Sequence, residues 1–444
     1  MGWVLAMIFI LHEPKSVSRS WMSRRFSRLL SRSTMVLFFL LGSGASHAQE
    51  TDPRPVPREY FGMHMQLIDK GGAWPTFQFG SWRLWDAYVA WRDLEPSRGK
   101  WDFSRLDRYV ALARKNGVSI VYPLGLTPAW ASARPGEPSK YKPGNAAEPS
   151  DLNTWRNYVR TVANRYKGEI TVYEIWNEPN IPGFFSGDVR KLVELTRVAR
   201  EELKKIDPAI QLVSPGMSTG AKGHLDYLDK YLAQGGAEII DVLGYHMYVQ
   251  TQEPEALIPL IHTIRGLMDK HGIASLPLWN TESGWWIGNG DGTPEHPMVA
   301  KGGWKRLDPK VEAGAYLARA LIVARGERLG RFYWYSWDNP YGLGMIELTS
   351  KKVKPVAAAY DRVVSWLENK GVRPCKQEKQ VYVCELVTDG KTSAWIVWAS
   401  GAKPVQYELP KTRPVTSLET LNRQVQKVKA GDFIKVDIEP VLLF

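Results

Sequence analysis

Cysteine is nearly absent from this chain. Cys375 and Cys384 are the only two in 444 residues, which excludes a disulfide-dense scaffold and any cysteine-built metal cluster. No His/Cys group has metal-ligand spacing and no glycine-rich loop suits a phosphate, so no metal and no cofactor is expected. Internal repeats and low-complexity linkers are missing. The only markedly apolar run, Met35-Val-Leu-Phe-Phe-Leu-Leu41, is too short to span a membrane in a mature protein. Charge is the last absence. The formal net charge is +12, of which about +5 sits before Ala48, and no Lys/Arg run follows. Nucleic-acid binding is therefore not indicated, whereas an anionic polysaccharide stays compatible with the mild basic bias.

What is abundant is aromatic: 19 Trp and 19 Tyr. Indole faces suit the C–H faces of sugar rings, although core and rim packing accounts for many of them. The N-terminus reads as a targeting segment, residues 1–48. Met22 to Arg32 is basic, Met35 to Leu41 is apolar, and Ser46-His-Ala48 offers small residues for a signal peptidase. Export to the periplasm or the medium follows, with cleavage after Ala48 and Met22 as the expected start. An uncleaved anchor is the competing reading. In an exported chain Cys375 and Cys384 can close a small hairpin loop as a disulfide, with reduced thiols as the alternative.

Between residues 49 and 370, apolar β-branched runs alternate with helical periodicity at a spacing of about 35 residues. Strands are expected at Tyr60–Gln66, Ser81–Trp85, Val118–Gly125, Thr171–Trp176, Ile210–Ser214, Ile239–Tyr248, Leu276–Glu282 and Arg331–Trp337. Helices are expected from Ser104 to Asn116-Gly117, and over Leu152–Tyr166, Val189–Ile206, Leu225–Leu232, Ala256–His271 and Val311–Leu329. Eight such units predict an α/β (β/α)₈ TIM barrel, whose chemistry lies at the C-terminal ends of its strands. After a helix at Pro355–Asn369 the pattern changes to short alternating strands. Residues 371–444 are expected to form a small antiparallel β-domain, for packing or for binding carbohydrate.

Two strand ends carry carboxylates. Thr171-Val-Tyr-Glu-Ile-Trp-Asn-Glu-Pro-Asn180 breaks at Pro179, which cannot donate to a ladder, and so presents Glu178 at the lip of a sheet. Leu276-Pro-Leu-Trp-Asn-Thr-Glu-Ser-Gly-Trp285 does the same for Glu282. Either glutamate alone reads as a solvated rim charge. Together, at the ends of the fourth and seventh strands, they are what acid-assisted glycoside cleavage requires. Arg83 and Tyr248 are placed to hold Glu282 ionised, with an ordinary ion pair as the alternative for Arg83. His246 can bond a carboxylate or a sugar hydroxyl, and Asn177 can donate to a sugar hydroxyl. Trp130, Trp285, Trp286 and Trp337 are candidate sugar platforms or core residues, and His64 is a weaker candidate.

Trp176-Asn-Glu-Pro-Asn180, Trp279-Asn-Thr-Glu-Ser-Gly-Trp285, Gly125-Leu-Thr-Pro-Ala-Trp130 and Glu95-Pro-Ser-Arg-Gly-Lys-Trp-Asp-Phe103 resemble glycoside hydrolase family 39. More broadly they resemble the retaining barrel glycosidases of clan A, from about Tyr60 to Tyr360. The resemblance implies that Glu178 is the acid/base and Glu282 the nucleophile. In character the chain looks closest to exported bacterial members associated with exopolysaccharides, which makes an exopolysaccharide system the expected setting. The leading expectation is a retaining β-glycosidase of a β-linked polysaccharide or oligosaccharide, with endo action favoured. An exo-acting enzyme of the β-xylosidase kind and a non-catalytic polysaccharide-binding barrel are the alternatives.

Overall fold

In a computed structural model, residues 53–294, 297, 304–339, 341–401 and 403–444 are described. The chain falls into two compact units, Met1–Gln49 and Glu50–Phe444. The expected leader and its cleavage point after Ala48 lie outside the described residues. Among those residues no helix is long and apolar enough to cross a membrane.

The second unit is built on a parallel sheet. Its strands are β1 (Phe61–His64), β2 (Ser81–Arg83), β3 (Ser119–Leu124), β4 (Val172–Ile175), β5 (Gln211–Val213), β6 (Met217–Ser218), β7 (Leu243–His246) and β8 (Leu278–Ser283). A two-residue pair, β9 (Trp286–Ile287) and β10 (Arg306–Leu307), lies outside it, and β11 (Phe332–Trp334) completes it. The sheet order is β5-β4-β3-β2-β1-β11-β8-β7-β6. Its two ends, β5 and β6, are one stave interrupted at Pro215-Gly216. Proline has no N–H for the ladder, so the stave pairs with β4 below the break and with β7 above it. Bridges Val213↔Val242 and Asn177↔Gly216 join both sides, and the sheet closes as an eight-staved (β/α)₈ barrel.

Helices cover the outside because their apolar stripes demand it. Leu152–Arg165 buries Trp155, Tyr158, Val159, Val162 and Ala163, at helical spacing. It begins at Asp151, whose side chain accepts from Asn153 N. Val189–Ile206 is capped the same way by Asp188, which accepts from Lys191 N. The helix Glu312–Gly326 is buried on nearly every face, because the barrel packs on one side and the C-terminal strands on the other. The stretch Trp91–Phe103, between β2 and the next helix, opens with a helical turn at Trp91–Leu94.

From Gly371 onward all pairing is antiparallel, in a larger sheet and a separate two-stranded ribbon. Cys375 and Cys384 are bonded to each other across its first hairpin. One face of the larger sheet continues the barrel core through Cys384, Leu386, Ile396 and Trp398. The other face forms its own cluster around Val383, Val397, Leu418 and Leu443. A buried polar knot fixes this junction. Glu255 accepts from Arg319 Nε at 2.8 Å and from Trp398 Nε1 at 2.7 Å, and Arg319 is fully buried.

Removing one partner of a buried ion pair leaves the other charge without water and uncompensated. Arg319 keeps Glu253 as a second partner. Glu255→Ala is therefore expected to lower the unfolding free energy by about 3 kcal/mol, at the lower end for such pairs. The shift of the urea midpoint at unchanged slope checks it.

Candidate active site

The C-terminal ends of the staves open into a cavity of about 750 Å³, lined by Asn177, Glu178, Tyr248 and Glu282 among others. This lies within the size range of small-molecule sites. At the end of β4 the backbone is held in an uncommon conformation. Trp176 and Glu178 both have positive φ, 52° and 46°. Such strain costs of order 1–3 kcal/mol per residue and persists only where the surroundings impose it. Here Trp176 N donates to Leu124 O and Glu178 N to Gly216 O, both at 2.7 Å, and the Trp176 indole donates to Phe184 O at 2.8 Å. Neighbouring staves thus clamp the residue on either side of Asn177, and the Glu178 carboxyl is aimed by main chain.

One buried guanidinium organises the rest. Arg83, at the end of β2, donates from Nε to Glu174 at 2.5 Å and from its two terminal nitrogens to Glu282 at 3.0 Å and Asn177 Oδ1 at 2.9 Å. Its bond to Asn177 Oδ1 leaves the amide nitrogen as the group to offer a substrate. Glu282 also accepts from Tyr248 OH at 2.8 Å. Burial raises the Tyr248 phenol well above its usual value, so that hydroxyl stays a donor.

Glu178, His246 and Glu282 each bring one ligand atom within 4.8 Å of the others. His246 Nδ1 lies 3.2 Å from Glu178 and 3.8 Å from Glu282. A metal ion can share such a spacing. The Glu282 oxygens, however, already accept from Arg83 and Tyr248, an arrangement suited to a carboxylate pair sharing a proton. Burial raises both carboxyls, Glu282 to about 7, and the Glu178 charge adds to the rise at Glu282. The two donors on Glu282, Arg83 and Tyr248, favour placing the shared charge on that carboxyl. Burial also pushes His246 down to about 4, leaving a neutral imidazole.

The sequence-predicted residues divide. Glu178, Glu282, Asn177, Arg83, His246 and Tyr248 are brought together. His64 is not in the cavity: it is fully buried, with its ring against Tyr335 and Nε2 3.1 Å from Thr281 O. Trp337 is not a platform either, since its indole packs on Phe77 and donates to Ala73 O. Trp130 donates to Glu95 O and packs edge-on against Trp91, away from the cavity. Trp285 borders the cavity, but its indole is 1% exposed and serves as wall. The rings that line the cavity as a stacked pair are Trp286 and Trp304, 5.5 Å apart.

Sequence reasoning missed Asp86, Tyr335, Gln66 and Glu174. Asp86 lines the cavity at φ 56°, within reach of the Tyr335 and Tyr141 hydroxyls, and burial raises its carboxyl to about 6. Its position three residues past Arg83, at the end of a strand, is the one signal that pointed to it. Glu174 lies in the strand before the carboxylate it supports, where a charge inside an apolar run was the available clue.

The model of the family described as glycosyl hydrolases family 39 matches residues 70–289. A β-xylosidase of Geobacillus stearothermophilus is 22% identical over 265 residues, 54% of this chain and 49% of its own length. An endo-1,4-β-xylanase C of Paenibacillus barcinonensis is 24% identical over 260 residues, 52% of this chain and 22% of its own. The chain thus spans about half the length of the first relative and less of the second. A solved family 39 glycoside hydrolase from Bacteroides cellulosilyticus WH2 superposes with a TM-score of 0.67 at 20% identity, covering 87% of this chain and 81% of that one. A monomeric β-xylosidase from Caulobacter crescentus CB15 gives 0.60 at 16% identity, covering 88% and 97%. The family 39 model thus covers the part of the barrel that carries both strand-end glutamates, and the solved structures share the barrel fold.

Proposed function

We propose that this protein is a retaining β-glycosidase that cleaves a β-linked polysaccharide or oligosaccharide outside the cytoplasm. The observation that carries the reading is the spacing of the two carboxyls. Inverting enzymes hold them about 6.5–9.5 Å apart to admit a water, and retaining enzymes about 5–5.5 Å. One oxygen of Glu178 and one of Glu282 lie within 4.8 Å of each other, which fits the shorter, retaining separation.

Ionised Glu282 attacks the anomeric carbon as Glu178 gives its proton to the glycosidic oxygen, and the C–O bond to the leaving sugar breaks. Glu178, now a carboxylate, takes a proton from water. The hydroxide adds to the anomeric carbon, the bond to Glu282 breaks, and the configuration is retained overall. The Asn177 amide is placed to donate to the 2-hydroxyl, a contact that strengthens as positive charge grows on the ring. Tyr248 and Arg83 keep the nucleophile anionic and oriented. The stacked Trp286 and Trp304 supply a face for a further sugar ring.

An exopolysaccharide and endo action fit the leader expected from the sequence, which would send the chain out of the cytoplasm, and the aromatic lining of the cavity. A second reading, an exo-acting β-xylosidase, is favoured by relatives that carry that name. Reducing-end release from β-linked polysaccharides, set against aryl β-xyloside hydrolysis, decides between them. An inactive wild type that still binds polysaccharide would turn the reading to a binding barrel.

Glu178→Gln and Glu282→Gln are each expected to lower kcat/KM by at least about a hundredfold on natural substrate, the lower bound for a positioned acid. In the alanine versions, azide should restore turnover with a retained azide product for Glu178 and an inverted one for Glu282. Wild-type activity in either Gln variant would remove that residue from its role.

The pH dependence follows from the shared proton. The acid limb of kcat/KM reports loss of the Glu282 charge and the alkaline limb loss of the Glu178 proton. Since burial raises both, the alkaline limb should lie well above the ordinary carboxylate range. It should vanish in Glu178→Gln, read from rates across pH 4 to about 9.

A further inference from the structure

Two buried polar atoms face the same small space over Gly216. A β-carbon at that position would lie 2.6 Å from His246 Nε2 and 2.7 Å from Glu174 Oε1. Neither atom has a hydrogen-bond partner among the described residues. Both residues are fully buried, and the other Glu174 oxygen is taken by Arg83. A carboxylate oxygen can only accept, while a neutral imidazole carries one N–H and one lone pair. Facing each other with nothing between them, the two are complementary only if the histidine proton is on Nε2.

The opposite nitrogen is the one that meets the acid. His246 Nδ1 stands 3.2 Å from Glu178 Oε1. With the proton on Nε2, Nδ1 is a lone pair and accepts only from a protonated Glu178. With the proton on Nδ1, the ring would donate to Glu178 and favour its ionised form. Two acceptors would then face each other over Gly216, out of water. Leaving a buried group unsatisfied costs its full desolvation, which selects the first arrangement.

We propose that Glu174 is a positioning residue that fixes the proton of His246 on Nε2, and through the free Nδ1 keeps Glu178 in its protonated, acid form. This rests on the retaining glycosidase reading and adds to it a role for a residue on the strand before the acid. Other groups also face this pair. From β2 and its end come Arg83 and Asp86, from β1 His64, from β8 Glu282, from β6 the Ser218 hydroxyl, and from adjoining loops the Tyr141, Tyr248 and Tyr335 phenols. Arg83 and Ser218 pull the Glu178 proton off, and burial retains it. The lone pair on Nδ1 acts with burial, by direct hydrogen bonding.

The test uses the full chain with Glu174→Gln and Glu174→Asp. Glutamine presents an amide N–H₂ that can donate to Nε2 and drive the histidine proton to Nδ1. Two aryl β-glycosides are compared, one with a 2,4-dinitrophenyl leaving group that needs no acid and one with a phenyl group that does. Glu174→Gln is expected to lose at least about tenfold on the phenyl glycoside and less than about threefold on the dinitrophenyl one, within the range of general-acid effects. Its alkaline limb should move down in pH, and Glu174→Asp should recover part of both. Equal losses on the two substrates with an unmoved limb would mean a structural role only and overturn the proposal. Nitrogen-15 NMR of the wild-type histidines reads the tautomer without any turnover. A His246 proton on Nε2 supports the proposal and a proton on Nδ1 overturns it, whether or not a glycoside is cleaved. Inactivity of the wild type on both glycosides would count against the glycosidase reading alone.

Discussion

A guanidinium with no access to water needs partners for its N–H groups within the protein, and each of the three Arg83 nitrogens finds one at the cavity floor. Each of its three nitrogens reaches a different residue: Glu174 inside β4, Asn177 just past it, and Glu282 at the end of β8. The geometry of the candidate nucleophile and of the amide beside the candidate acid therefore depends on one planar group. Because the guanidinium is buried, its charge is little screened, so it opposes the burial that raises the Glu282 carboxyl. Lysine could not replace it, since an ammonium is a point charge without a rigid fork.

That arrangement needs a frame that does not move, and the barrel provides one. The stave broken at Pro215 gives up its regular ladder there, and Gly216 uses the break to accept from Glu178 N. The same glycine leaves room for His246 and Glu174. A bend that looks like a fault in the sheet thus serves three residues of the site. The positive φ values at Trp176 and Glu178 are imposed by neighbouring staves, so the cost of aiming the acid is met by folding rather than by substrate binding.

The parts of this structure that were legible in the sequence are those governed by local rules. Val189–Ile206 was read to the residue because an apolar stripe and an aspartate cap mark it. Glu178 and Glu282 were legible because a strand that stops at a proline or glycine leaves its last carboxylate at the rim. Strand ends were overextended where aromatic residues continue the pattern past the ladder, as at Ile239–Tyr248 against the observed Leu243–His246. The tryptophans were hard for a different reason. An indole at a strand end reads the same whether it turns to the cavity, as Trp286 does, or inward to a distant carbonyl, as Trp337 does to Ala73. Asp86 and Tyr335 come together from opposite parts of the chain, and no local spacing records a meeting 249 residues apart. Short C-terminal strands such as Ser417–Thr420, Val425–Lys427 and Val441–Leu443 escaped because three or four residues carry too little alternation to read.

The claim on which all of this turns is that two carboxyls sit at the shorter, retaining separation. The most direct measurement is the stereochemistry of the first-formed product, followed by proton NMR during cleavage of a β-linked substrate before the sugar mutarotates. The account requires the β-anomer to appear first and the α-anomer to grow in only at the rate of mutarotation. An α-anomer as the initial product would show single displacement by water and contradict the reading of Glu282 as nucleophile.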